Sequence, residues 1–219
     1  MLLEKIKDSL HPKLFEVLSK DIKELRPAQS KSIKAGLLDR KNLLVCTPTA
    51  SGKTLIAEIA MLQSIYNRIG KAVYIVPLKA LASEKFDYFR ARYPDLRVAL
   101  SIGDTDKSDS YLEKYDIIIT VSEKLDSLIR HHAPWLSHVS TIIVDEVHLL
   151  NDPHRGPTIE IVITILRQVL KNAQIIALSA TIGNPKELAD WLDAELVMDD
   201  WRPVELKKGI FFDNEIKFY

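Results

Sequence analysis

The chain has 219 residues, 47% hydrophobic and 27% charged, which is enough for one large domain or two small ones with a real core and unlike a disordered segment. Lys plus Arg and Asp plus Glu number 30 each, so net charge is zero with neutral histidines, and any polyanion must be met by a local patch. Charges stand within MLLEKIKDSL and no apolar run approaches the ~20 residues of a membrane helix, so neither a signal peptide nor a membrane partner is expected, and a cytoplasmic location is.

Two short helical patterns open the chain, at residues 13–19 and 27–38, before any strand. Residues 42–46 read as a buried strand ending at Cys46, a lone cysteine that excludes an internal disulfide and reads as apolar filler. Leu55, Ile59, Leu62, Tyr66 and Ile69 then recur at helical spacing. Residues 72–76 are a continuous apolar run stopped by Pro77, as in an interior parallel strand. Leu78, Leu81, Ala82, Phe86 and Phe89 mark the next helix, and 97–101 and 116–120 read as two more strands. Ser122 is placed to cap a helix reaching about residue 131. Residues 141–144 are another buried strand, and Ile159, Val162, Ile163, Leu166, Val169 and Leu170 form a helical stripe. After a strand at 174–178, Asn184-Pro185-Lys186-Glu187 reads as a capping box opening a helix to about Leu192. The tail beyond Trp201 reads as an edge strand or connector. The expected organisation is a helical segment at 1–40, an α/β unit at 41–200 with a mostly parallel sheet and helices on both faces, and a connector at 201–219.

The stretch NLLVCTPTASGKT, residues 42–54, has the layout of a nucleotide-triphosphate cradle: strand, turn of small residues, helix. Backbone N–H groups of Thr47, Ala50, Ser51 and Gly52 and the helix N-terminus would face phosphate oxygens. Lys53 would reach the β- and γ-phosphates, and the Thr54 hydroxyl would hold Mg²⁺. The strict pattern has Gly where this chain has Thr47, so a chance Gly-Lys-Thr in a strand-to-helix turn is the alternative. A second sign is the strand 141–144 running straight into Asp145-Glu146-Val147-His148. Asp145 would coordinate Mg²⁺ through water, and Glu146 would orient and deprotonate an attacking water. The plainer alternative is a solvated loop that starts with two acids. His148 on its own reads as a surface or core residue, and Ser179-Ala180-Thr181 as a Ser/Thr turn at a strand end.

Taken in order, Leu25-Arg26-Pro27-Ala28-Gln29, TPTASGKT, PLKALASEK, Gly103-Asp104, TVSEKLDSLIR, DEVH and SAT resemble the first motor lobe of a superfamily 2 helicase of the DExH type. The run DEVHLLNDPHRGPTIE and the later Trp201-Arg202-Pro203-Val204 look most like archaeal repair helicases of the Holliday-junction-migration type, relatives of the polymerase-theta helicase domain. Thr47 is no obstacle within such a family, where Ala or Thr is usual at that point.

The resemblance implies a RecA-like fold of the P-loop NTPase class, ATP as substrate, Mg²⁺ as cofactor, and single-stranded or branched DNA as partner. It implies that Gln29 reads the adenine edge. It implies that Pro77, Lys79, Ala80, Gly103, Asp104, Thr120, Ser122 and Glu123 lie along one nucleic-acid strand, contacting phosphates without reading sequence. His148, Ser179 and Thr181 would couple the ATP site to that strand. Polarity of 3′-to-5′ translocation follows from the resemblance alone. The paired arginines of a second RecA-like lobe are not found in this sequence, nor are C-terminal domains, so an excised first lobe with slow or no turnover is expected. Arginine fingers are worth ~10³–10⁵ in rate in related systems. An RNA helicase, an ATP-gated binding module without turnover, and a P-loop ATPase unconnected with nucleic acid are the competing readings.

Overall fold

A computed structural model describes residues 1–103, 109–212 and 215–218. Apolar runs of four to six residues become strands wherever both faces are covered: β1 (Leu43–Cys46), β2 (Lys71–Val76), β3 (Val98–Ser101), β4 (Ile117–Val121), β5 (Val139–Val144) and β6 (Gln174–Ser179). The helices between and around them are α1 (Pro12–Asp21), α2 (Pro27–Lys34), α3 (Lys53–Tyr66), α4 (Lys79–Arg92), α5 (Ser122–Arg130), α6 (Gly156–Val169) and α7 (Pro185–Leu192). A seventh strand, β7 (Glu195–Met198), joins them, and β8 (Gly209–Phe212) pairs only with β9 (Glu215–Phe218). Among the described residues the main sheet has the order β3-β4-β2-β5-β6-β1-β7, parallel throughout.

Because strand side chains alternate, each strand feeds two cores. Val45, Tyr74, Ile119 and Ile143 face α1 to α4, while Leu44, Ile75, Ile118 and Ile142 face α5 to α7. The amino-terminal segment is not separate from the first core, since Leu14, Leu18, Leu25 and Ala28 are buried in it. Helix α3 is buried almost all round, which explains its lack of a polar face.

Four expectations need correction. Ser122 is the first residue of α5 and caps nothing; its hydroxyl lies against the Glu123 carboxylate instead. Asn184 makes no backbone cap either: its amide bonds the Glu187 side chain at 3.0 Å, and Pro185 at the first turn sets the helix entry. The main sheet's edge strands are β3 and β7, both before Trp201, and the tail is no edge strand of it but pairs in its own antiparallel hairpin. Helix α2 stops at Lys34, where Ala35 ends the helix and Gly36 takes φ 101°, a left-handed geometry suited to glycine.

Candidate functional site

Parallel strands present their carboxyl ends along one edge, and the sheet order decides which loops meet there. Strand β1 leads into the phosphate loop and β5 into Asp145, with β6 between them. Ser179, at the end of β6, thus lies between loop and acids, and its carbonyl accepts the Thr47 N–H at 3.2 Å. Ser179 is buried beside the Cys46 thiol, whose pKa burial pushes up. Thr181 stands exposed just beyond.

The loop is tightly internally bonded. Thr47 and Ser51 are buried and their hydroxyls lie 2.7 Å apart. Ala50 takes φ 65° and Gly52 φ 95°. A Cβ on Gly52 would come 2.4 Å from Gln29 Nε2, so glycine is required there by both backbone and neighbour. Lys53 folds back, donating to the Thr47 carbonyl at 2.9 Å. Burial lowers the Lys53 pKa, and the charges of Glu146 and Asp145 act against that lowering. Loop and acids therefore share one electrostatic neighbourhood, which the sequence could not place. Thr54 Oγ1 accepts from the Lys85 ammonium of α4 at 3.3 Å.

Asp145 follows Val144 and, by alternation, turns to the face of α3 and Tyr74. The Tyr74 hydroxyl donates to its Oδ2 at 2.8 Å, and the Glu146 N–H to its Oδ1 at 3.0 Å. Glu146 takes a left-handed φ of 52°. His148 Nδ1 is 3.3 Å from Glu146 Oε2, close enough for an ion pair when protonated. Among the described residues no cluster of three acids, histidines or cysteines could cage a metal. That donor set fits Mg²⁺, which needs one or two carboxylates and takes its other ligands from water and phosphate. Zinc would need more.

Gln29 is 4% exposed, and both ends of its amide are engaged: Oε1 accepts from Arg26 N–H at 2.8 Å and Nε2 donates to the Gly52 carbonyl at 3.0 Å. In this arrangement it braces the loop rather than facing a base. Arg26 extends the brace, donating to the Ala50 carbonyl at 2.7 Å and lying over the Trp201 ring. A cavity of about 430 Å³ adjoins, walled by Arg26, Gln29, Gly52 and Leu55 on one side and by Tyr88 and Arg92 of α4 on the other.

The other half of the same sheet edge, at the ends of β2, β3 and β4, holds a second cavity of about 450 Å³. Pro77, Lys79, Gly103 and Glu123 line it, as does Arg155 from the turn before α6, which sequence reasoning passed over. Ala80 is exposed in the first turn of α4 outside that lining. Asp104 lies outside the described residues. Two of the expected contacts have covered side chains: Thr120 is fully buried and donates its hydroxyl to the Ser101 carbonyl at 2.8 Å, and Ser122 is 2% exposed. Both shape the strand end from within.

Residues 26–188 match the DEAD/DEAH box helicase family. The chain is 56% identical over 205 residues to the ATP-dependent DNA helicase Hel308 of Methanococcus vannielii, covering 90% of this chain and 27% of that one. It is 55% identical over 216 residues to the protein of the same description from Methanocaldococcus jannaschii, covering 94% and 18%. The chain thus spans about a quarter or less of the length of these curated relatives. Among solved structures, the DUF1998 helicase MrfA bound to DNA is similar at TM-score 0.74 and 29% identity, over 88% of this chain and 30% of that one. The same helicase bound to DNA and AMPPNP gives TM-score 0.73 at 29% identity, over 88% and 29%.

Proposed function

This chain belongs to the DEAD/DEAH box helicase family, and from that premise we propose that it is the first motor lobe of an ATP-dependent helicase acting on DNA. One observation carries the reading: Lys53, on the loop after β1, sits in the field of Asp145 and Glu146, at the end of β5. Those are the groups that phosphoryl transfer requires on either side of a triphosphate. Lys53 would exchange its bonds to the loop carbonyls for phosphate oxygens. Asp145 and Thr54 would hold Mg²⁺, which when bound neutralises charge on the phosphates. Glu146 would accept a proton from the attacking water, with His148 beside it relaying the state of the site. The base would enter the cavity walled by Arg26, Gln29 and Tyr88, and Gln29 would read its edge by giving up one of its present bonds.

The strand would run across the ends of β2, β3 and β4 over Pro77, Lys79, Gly103 and Glu123. Contacts of that kind grip phosphate without reading sequence, as a translocating motor needs. A second lobe would close over the nucleotide and supply the arginines that speed hydrolysis. The 56% and 55% identical relatives described as DNA helicases favour DNA over RNA; repair of branched DNA is the role we assign to the full protein.

Binding of a fluorescent ATP analogue to this chain, with and without Mg²⁺, tests the site. Lys53→Ala should weaken binding at least ~10-fold by removing a charge-assisted phosphate contact. Glu146→Gln should leave binding intact while abolishing turnover in a protein that carries both lobes. Equal binding by Lys53→Ala, or undiminished turnover by Glu146→Gln, would remove those residues from the mechanism.

A further inference from the structure

The run Asp152-Pro153-His154-Arg155-Gly156 has a geometry that the ATP chemistry does not use. Asp152 Oδ1 accepts both the His154 N–H at 2.8 Å and the Arg155 N–H at 2.9 Å, and its carbonyl accepts the Gly156 N–H at 2.8 Å. A Cβ on Gly156 would lie 2.2 Å from the Leu150 carbonyl oxygen, so the turn closes only with glycine there. The turn is pinned at both ends, and it delivers Arg155 to the cavity that Lys79, Gly103 and Glu123 line. Among the described residues the Arg155 guanidinium has no hydrogen bond or ion pair. Lys124, by contrast, also lines that cavity but is tied to Asp109 at 2.9 Å.

We propose that Arg155 is a phosphate-binding residue of the nucleic-acid track, with Asp152 and Gly156 as the residues that position it; the assignment rests on the nucleic-acid reading given above. A planar guanidinium offers a fork of N–H donors that matches two oxygens of one phosphate, which a lysine ammonium cannot do. The cavity also contains Glu123, whose carboxylate repels a phosphate. Cations at Arg155 and Lys79 in the same lining would draw the phosphate backbone toward themselves and away from that carboxylate. The turn follows directly on the segment that carries Asp145 and Glu146, so a strand held by Arg155 bears on the same stretch of chain as the nucleotide acids.

The test is fluorescence anisotropy of labelled oligo-dT with this chain across a salt series, with thermal unfolding to confirm that each variant is folded. Arg155→Ala should lower affinity about fivefold to tenfold at low salt and reduce the slope of log affinity against log salt by about one, as loss of one phosphate contact does. Arg155→Lys should recover the slope and only part of the affinity. Asp152→Ala separates positioning from charge. It removes a negative group, so charge alone would tighten binding, whereas a released turn weakens it about twofold or more. Oligo-U should show the same Arg155 dependence, because the contact is to phosphate. Unchanged affinity and slope in Arg155→Ala would overturn the assignment and leave the track intact. Tighter binding by Asp152→Ala would overturn the positioning role. Failure of the unmodified chain to bind either oligonucleotide at low salt would overturn the track itself, and Arg155 with it.

Discussion

A carboxylate that is to hold a metal, the role proposed for Asp145, must keep one orientation, and Asp145 is held from two sides. Tyr74 grips Oδ2 and the Glu146 N–H grips Oδ1. Burial, then the charge of Asp145, raises the Tyr74 pKa well above its ordinary value, so the hydroxyl stays protonated and keeps donating at any physiological pH. Outer-sphere partners of this kind are worth about 10-fold to 100-fold in metal affinity. Tyr74→Phe keeps the packing and removes only the donor. It should raise the Mg²⁺ concentration needed for half-maximal binding of a fluorescent ATP analogue by about tenfold; an unchanged Mg²⁺ requirement would assign Tyr74 to the core alone. Nothing in the local sequence marks this tyrosine. It sits in the apolar run of β2, and its partner is far along the chain, on a strand whose neighbour only the sheet order reveals. Lys53, Asp145 and Glu146 could be singled out as candidates from short local spacing, and the fold brings them into one electrostatic neighbourhood. The engagement of Gln29 and the burial of Thr120 were not legible, because they depend on what packs over them.

At the level of elements, one buried acid ties three helices together. Glu58 on α3 is 1% exposed and accepts from Tyr88 at 2.9 Å and Arg92 Nε at 2.8 Å, both on α4, and from the adjoining Tyr93 hydroxyl. Arg92 continues to Asp21 at the end of α1 at 2.8 Å. Helix α4 begins at Lys79 in the cavity proposed for nucleic acid and ends in this cluster beside the loop cavity, so its two ends border different cavities. Glu58→Ala should cost about 3–5 kcal/mol, the penalty for stranding buried partners. Glu58→Gln should cost less, since its amide oxygen still accepts. Urea denaturation measures both, and a loss below about 1 kcal/mol would mean that water or Asp21 takes over the partners. Periodicity located α3 and α4 but said nothing of this link, which crosses between elements. It also passed over β7: only Val197 of that strand is buried, so an edge strand with one covered face shows no apolar run.

Across the whole molecule, the sheet lays the groups proposed for nucleotide and the cavity proposed for nucleic acid along one edge, at the ends of β1, β5 and β6 and of β2, β3 and β4 respectively. Strand alternation predicted an α/β unit with helices on both faces, and such a unit is present; the order of strands was not readable, because crossover connections leave no local mark. That order has a temporal consequence. Strand β1, which bears the phosphate loop, pairs with β6 and β7, both made long after it. A nascent polypeptide leaving the ribosome therefore carries that loop without either strand neighbour until residues 174–198 have followed it, since distant parallel pairing is slow. Stalled chains ending at Val169 should fail to retain a fluorescent ATP analogue, and chains in which residues 174–198 have cleared the exit tunnel should retain it. On the proposed function, a grip on nucleotide would arrive in one step, when β6 and β7 close on either side of β1.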